Sequence, residues 1–345
     1  QMEKPILVFK VGTASITTAD GTPDVSLIAS FARQIAQLHN EFRIVIVSSG
    51  AVGTGKKYIK NYAGKLVERK AAAAIGNPIL INKYADAFAP FNIPIAQSLC
   101  ERLHFSNRTQ FLHLKETYNE LWRNGIIPIA NENDVVSNYE LKFSDNDELA
   151  TLIAVGFGAK ILLIGTSVEG LLDGDGKLVK KILNFDEQIL EMATHEKSAA
   201  GLGGMRSKLA FARLATSMGT KVVIFNPREE DGLIKAEMGI TGTQCEPRNT
   251  FASQRKKWLA GGGVATGSIK VDKGAEGALQ NCKSLLAVGV EKIILPFEKG
   301  DVIEIRGTSK LPIGVAIAKI SSKELENRLK EKNLEVANVD GIVIL

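Results

Sequence analysis

The stretch FRIVIVSSGAVGTGKK, Phe42 to Lys57, decides how the chain is read. RIVIV is an almost unbroken β-branched and apolar run, the pattern of a strand buried on both faces. It stops at a loop of small residues. Gly50, four further residues, Gly55 and Lys56 satisfy most of a P-loop. That motif, however, needs a Ser or Thr hydroxyl after the lysine to hold Mg²⁺, and Lys57 stands there. The stretch is therefore either a degenerate P-loop or a different glycine-rich loop with another job.

Outward from this strand the same alternation repeats. PILVFKV, IPIAQSL, GIIPIAN, AKILLIGT and TKVVIFN read as strands. Between them lie helical patterns, among them Val25, Ile28, Phe31, Ile35 and Leu38 at helical spacing. A long helical region from Leu66 to Phe88 should be broken or kinked by Gly76 and Pro78. Strand–helix alternation predicts an α/β fold with a mostly parallel central sheet sandwiched by helices, and ligands at the carboxyl ends of its strands. Near Pro247 the texture changes. A polar, basic and then glycine-rich segment precedes short strands such as GSIKVD, DVIEIRG and IGVAIAKI. The expected division is residues 1–250, a linker at 251–262, and a small β-rich domain at 263–345.

Composition narrows the function classes. The 345 residues are 45% hydrophobic and 23% charged, with a net charge of +5. This suits a globular protein with anionic small substrates and is weak support for nucleic acid. Three scattered cysteines and four histidines match no metal or redox spacing. The N-terminal apolar run is short and interrupted by Lys10, and the longest apolar stretch is broken by glycines and Lys160. No secretory signal or membrane span is expected, and the cytoplasm is the expected location.

Four loops at strand or helix ends could carry chemistry. Lys10-Val11-Gly12-Thr13 sets a cation beside backbone N–H groups, which suits a phosphate. Ser48-Ser49-Gly50-Ala51 combines hydroxyls with a glycine able to turn left-handed. Ala130 to Glu148 gathers Glu132, Asp134, Glu140, Asp145, Asp147 and Glu148 with several asparagines. These can bind an ammonium group, orient lysines or reach Mg²⁺ through water. GLGGMRSK, Gly201 to Lys208, opens a helix whose N-terminus favours phosphate. Each has an ordinary explanation alone: a snorkelling strand-end lysine, a strand-to-helix turn, a solvated acidic loop, a flexible loop. Together, two lysines on separate glycine loops and an acidic loop fit phosphoryl transfer, which needs positioning and charge neutralisation more than a covalent nucleophile.

KVGT, VSSGAV, PIANEND, FSDNDELA, GLGGMRSK and RKKWLAGG occur in the order found in glutamate 5-kinases. The chain resembles that branch of the amino acid kinase family over essentially its full length, and its tail is similar to a PUA domain. NEND with the following DND is the most specific element. The resemblance implies transfer of the γ-phosphoryl of ATP to the γ-carboxylate of L-glutamate, the first step of proline biosynthesis. It implies that Lys10 and Lys208 flank the transferring phosphoryl, with Asp147 holding both lysines. By the same resemblance, the working part of the opening stretch is SSGA, Ser48 to Ala51, and Lys56 and Lys57 face solvent or the edge of the site. Ser49, Gly50, Asp134 and Asn146 match glutamate-side positions, with Asp134 meeting the α-amino group. Lys10, Gly12, Thr13, Thr166, Ser167, Leu202, Gly203, Gly204, Met205, Arg206, Ser207 and Lys208 match ATP-side positions. Mg²⁺ would be carried by ATP, with no metal ligand from the protein. L-Proline as feedback inhibitor, a homo-oligomer (dimer or tetramer) and a downstream glutamyl phosphate reductase are further implications.

Some positions depart from the commonest pattern: Ala14 where Ser is frequent, Ser167 where Asp is, and Leu202 where Thr is. They bear on adenine and ribose contacts rather than on phosphate chemistry. Two rival readings stand beside this one. Within the family the nearer is an aspartate or N-acetylglutamate kinase; the acetylated substrate would not need the acidic partner that Asp134 offers a free α-amino group. An RNA-binding PUA protein on a retired kinase scaffold is disfavoured by intact Lys10, Asp147 and Lys208. RNA binding by the tail is not expected, since it lacks a dense basic–aromatic surface.

Overall fold

The strand Ile6–Val11 (β1) is buried at all of its positions, because it lies inside the sheet with a parallel partner on each side. In this computed structural model, residues 3–136, 145–186, 188, 189, 192, 204–247, 267–308 and 312–344 are described. The chain divides into the units Gln1–Asn249 and Thr250–Leu345. The segment expected to link them, 251–262, lies outside the described residues.

In the first unit, β1 is joined by Arg43–Ser48 (β2), Ile95–Cys100 (β3), Ile127–Glu132 (β4), Ile161–Gly165 (β5), Lys181–Ile182 (β6), Lys221–Phe225 (β7) and Thr243–Cys245 (β8). The spatial order is β3-β4-β2-β1-β5-β7-β8-β6. All pairs are parallel except β7 with β8. The mostly parallel α/β sheet expected from the alternation is present. The antiparallel pairing of β8 with β7 was not anticipated, since a three-residue strand carries no periodicity to read.

Register sets the site. Lys10 pairs with Val47 of β2 and Ile164 of β5, and Val47 pairs with Ala130 of β4. The carboxyl ends of β1, β2, β4 and β5 therefore form one edge. Side chains alternate across the sheet. Leu7 and Phe9 join the core with Ile28, Phe31 and Ile35 of helix Val25–Leu38 and Leu80, Tyr84 and Phe88 of helix Leu66–Phe88. Phe9 and Phe31 meet edge to face with ring centroids 5.3 Å apart, an arrangement that adds about 0.5–1.5 kcal/mol beyond area burial. Lys10, one residue on, points to the opposite face.

That opposite face is covered by helix Asn146–Phe157, buried from Asp147 to Phe157. A helix without a solvent face reads as apolar all round, as LATLIAVGF does. Phe157 packs edge to face on Phe111 and Tyr118 at 5.7 and 5.2 Å. Asp145 caps this helix, its Oδ1 accepting from the N–H groups of Asp147 at 2.9 Å and Glu148 at 3.2 Å. At the far end Gly158, in the left-handed region, terminates it.

The helix Leu66–Phe88 runs unbroken through Gly76 and Pro78. Gly76 is needed for a close crossing. A Cβ there would lie 1.7 Å from the carbonyl oxygen of Ala51, and one at Gly55 would lie 1.8 Å from that of Ala72. The short helix Ala51–Gly55 that follows the SSGA loop thus rides directly on the backbone of the long one. The lost hydrogen bond at Pro78 and the propensity cost of Gly76 are outweighed by this tertiary contact.

In the second unit, Gly267–Val271, Val290–Leu295, Val302–Arg306, Pro312–Ile317 and Ile342–Ile344 form a five-stranded sheet. Its core includes Ile269, Val271, Phe297, Ile303, Ile305, Ala316 and Leu325. Two helices, Lys273–Gln280 and Ser322–Asn327, are capped by Asp272 and Ser321. No helix among the described residues is long and apolar enough to cross a membrane.

Gly76→Ala should destabilise the first unit severely. The clash is with backbone and cannot be relieved by a rotamer change, so at least the ~3 kcal/mol upper range of core overpacking is expected. The readout is a fall in thermal midpoint of roughly 10 °C or loss of soluble protein.

Candidate active site

Asp147 is fully buried, yet two cations meet it. Lys10 Nζ lies 2.6 Å from Oδ1 and Lys208 Nζ lies 2.7 Å from Oδ2. Each element was selected for this by its own local chemistry. Lys10 is the last even-numbered residue of β1 and so faces the helix Asn146–Phe157. Asp147 sits in that helix's first turn, where a carboxylate is favoured by the helix dipole. Lys208 lies in the first turn of helix Met205–Ser217, which opens after Gly204. Both lysine side chains are 8% exposed.

Burial alone would push the Asp147 carboxyl up. The charges of Lys10 and Lys208, with their hydrogen bonds, outweigh burial and hold it below its ordinary value. Asp145 behaves oppositely: burial and the neighbouring Asp147 charge raise it, and Lys10 and Lys208 only partly offset this. Lys10 and Lys208 meet the Asp147 carboxylate directly, and Asp145 acts on both lysines through its charge. An ammonium has three donors, and one of those on Lys10 faces Asp147. Gly12 follows directly on β1 beside this cluster, where a Cβ would make ordinary contact with Lys10 Nζ at 3.5 Å.

A neutral half adjoins the charged one. Gly50 is left-handed at φ 106°, and a Cβ on it would meet Ile16 Cγ2 at 3.0 Å. The turn brings Ser49 to Asn146, whose Nδ2 donates to Ser49 Oγ at 2.8 Å and to Asn131 Oδ1 at 3.0 Å. Asn131 Nδ2 in turn donates to Asn77 Oδ1 at 3.2 Å. Asn146 Oδ1 is buried and has no partner among the described residues, an acceptor open to a ligand donor.

The expected residues thus fall into three sets. Lys10, Asp147, Lys208, Gly12, Ser49, Gly50 and Asn146 gather at one sheet edge. Thr13 opens the short helix Thr13–Ile16 beside them, and Asp134 stands in a turn two residues beyond β4, half-buried. Thr166 follows β5, its N–H donating to Phe225 O at 2.9 Å, and Ser167 is exposed. Met205 is buried and Ser207 half-buried in the helix after Gly204, and Arg206 lies on that helix. Leu202, Gly203 and the acidic-loop residues 137–144 lie outside the described residues. Lys56 and Lys57 are exposed, as expected, and Lys57 Nζ sits 5.4 Å from the Tyr58 ring centroid. Sequence reading missed Asn77 and Tyr84, polar residues two turns apart on the helix Leu66–Phe88, where Leu80 and Phe88 are core residues.

Comparison with known proteins follows the same division. The model of the amino acid kinase family matches residues 5–226, and that of the PUA domain matches residues 267–339. Among curated relatives, the glutamate 5-kinase of Rippkaea orientalis is 35% identical, with 98% of this chain and 95% of the relative covered. That of Kosmotoga olearia is 34% identical, covering 97% of this chain and 94% of the relative. Among solved structures, UMP kinase from Ureaplasma parvum is similar with a TM-score of 0.50 at 16% identity. The match covers 70% of this chain and 100% of that one, and it bears on the fold alone.

Asp147→Asn would leave two cations facing each other in a buried site. Losing one partner of a buried ion pair costs about 3–5 kcal/mol, measured as reduced resistance to urea near neutral pH. The Asp147 carboxyl is depressed in the folded state, so its stabilising contribution is present above the unfolded value of about 3.9. It is lost as pH falls through the folded value. The gap in stability between wild type and variant should therefore be constant above about pH 5 and shrink under stronger acid.

Proposed function

Because the chain belongs to the amino acid kinase family and, within it, to the glutamate 5-kinases, we propose that its Lys10–Asp147–Lys208 cluster transfers the γ-phosphoryl of ATP to the γ-carboxylate of L-glutamate. The observation that carries this reading is one fully buried carboxylate shared by two lysines, at 2.6 and 2.7 Å. A carboxylate oxygen of glutamate attacks the γ-phosphorus, the bond from that phosphorus to the bridging oxygen breaks, and ADP leaves. No nucleophile from the protein is required. Lys10 and Lys208 stabilise charge on the phosphoryl oxygens, and Asp147 keeps the two ammonium groups fixed before substrate arrives, so little reorganisation is needed in the transition state.

Gly12, Thr13 and Gly50 donate backbone N–H groups to the reacting region. Ser49 and Asn146 hold glutamate, with the unpaired Asn146 Oδ1 suited to its ammonium group and Asp134 as the acidic partner. The ATP side comprises Thr166, Ser167 and the run from Leu202 to Lys208. Mg²⁺ fits as a companion of ATP, because both Asp147 oxygens are engaged by lysines; when bound, it neutralises the nucleotide phosphates. The product γ-glutamyl phosphate is a reactive acyl phosphate and passes to a reductase in proline biosynthesis. The proposal extends to feedback by L-proline at the acidic loop, a homo-oligomer in the cytoplasm, and a structural or regulatory PUA domain that does not bind RNA.

Purified protein with ATP, Mg²⁺ and hydroxylamine should form hydroxamate with glutamate and little with aspartate or N-acetylglutamate. Absence of product with glutamate overturns the reading. Lys10→Ala and Lys208→Ala should each lower kcat by about 100-fold or more while near-native circular dichroism is retained. Unchanged turnover in either variant removes that lysine from its role. Millimolar L-proline should inhibit the same assay, and no effect would remove feedback from the proposal.

A further inference from the structure

Two hydrogen-bond paths leave the helix Leu66–Phe88 and end on the same residue, Ser49. On the first, Tyr84 donates through its hydroxyl to Ser48 Oγ at 2.9 Å, and Ser48 Oγ donates to the Ser49 carbonyl at 3.1 Å. On the second, Asn77 accepts from Asn131, and Asn131 accepts from Asn146, which also donates to Ser49 Oγ. Asn77 and Tyr84 lie two turns apart, on one face of the helix. Neither is a surface residue: Asn77 is 6% exposed and Tyr84 is 1% exposed.

Both residues stand where an apolar side chain would do for packing alone. Leu80, one turn from each, is in the core, and Phe in place of Tyr84 would fill the same volume. A polar group in this position carries a desolvation cost that only its partners repay. Asn77 is incompletely repaid within the protein, because its Nδ2 is buried with no partner among the described residues. It borders a cavity of about 10 Å³, room for a single water, together with Ser48, Tyr84, Gln97 and Asn131. The polar groups are thus concentrated directly behind the Ser49–Asn146 pair, while the rest of that helix face is hydrocarbon.

We propose that Asn77 and Tyr84 are positioning residues for the substrate half of the site, fixing the Ser49 turn and the Asn146 amide from behind. Neither touches the reacting atoms. Asn77 orients Asn146 through Asn131, and this presents Asn146 Oδ1 towards the ligand. Tyr84 pins the Ser49 carbonyl through Ser48, and this sets the direction of the turn at Gly50. The close crossing at Gly55 and Gly76 places the residue after Gly76 at this depth. The inference rests on the reading of Ser49 and Asn146 as glutamate-side residues.

The test uses the full chain carrying Asn77→Ala, Tyr84→Phe, Asn146→Ala, and the Asn77→Ala/Asn146→Ala pair. Asn77→Ala and Tyr84→Phe should each raise KM for glutamate by about tenfold, the effect of one lost buried hydrogen bond, with KM for ATP unchanged within about twofold. The double variant should be less impaired than the product of its single variants, because Asn77 acts through Asn146. A purely structural role predicts a lower thermal midpoint with both KM values unchanged, and that result overturns the proposal. So does a multiplicative double variant. A second readout needs no substrate. In protein labelled with ¹⁵N-asparagine, the Asn146 side-chain amide signal, identified by its loss in Asn146→Ala, should move in Asn77→Ala. An unmoved signal overturns the positioning path even if the wild type proves inactive on glutamate. Inactivity of the wild type alone overturns the functional reading instead.

Discussion

Three buried charges at the end of one central strand constrain the first unit of this protein. Asp147 cannot be placed at zero exposure without partners, since an unpaired carboxylate there would take up a proton or unfold its surroundings. Lys10 and Lys208 are the partners, and they come from parts of the chain almost two hundred residues apart. For the bridge to close, β1 must lie inside the sheet, the helix Asn146–Phe157 must cover one face of it, and the helix Met205–Ser217 must open beside that helix's N-terminus. The packing around the bridge can be read as meeting these conditions. The two ammonium groups are thereby held in place for an anionic phosphoryl group, as the proposed function requires.

Each face of the sheet supplies its own half of the site. On the face of Lys10, the buried helix supplies Asn146, Asp147 and Glu148 in its first turn. On the other face, the long helix Leu66–Phe88 supplies core hydrocarbon interrupted by Asn77 and Tyr84. The two halves meet at the SSGA loop, where Ser48 looks to Tyr84 and Ser49 to Asn146. A strand end serves both faces because its residues alternate, and a loop beginning there can contact elements on either side. This gives a physical reason for a site at the carboxyl edge of a parallel sheet: register aligns the strand ends, and alternation shares them between the layers.

Much of the fold was legible in single segments. RIVIV and ILLIG could be read as strands, and LATLIAVGF as a helix. Two kinds of feature were not. The short antiparallel β8 has too few residues to show a period. Gly76 and Pro78 read locally as helix breakers, whereas the helix persists because Gly76 lets another backbone approach to a distance no Cβ would permit. Local propensity priced the glycine, and a tertiary contact outweighed it.

The candidate site divides in the same way. Lys10, Ser49, Asn146, Asp147 and Lys208 could be proposed from the sequence because charge, glycine-rich turns and motif order are properties of neighbouring residues. Their residue types determined what chemistry was available, namely cations and amides for an anionic substrate. That Asp147 joins both lysines was an expectation of resemblance; the distances that make it an ion-paired bridge come from strand register and helix placement. Asn77 and Tyr84 were invisible in the sequence, since a polar residue on an apolar helix face has no local signature of its partner. Only tertiary structure brought them behind Ser49, because hydrogen bonds between a helix and the ends of strands distant in the chain depend on how layers pack and not on the order of residues along it.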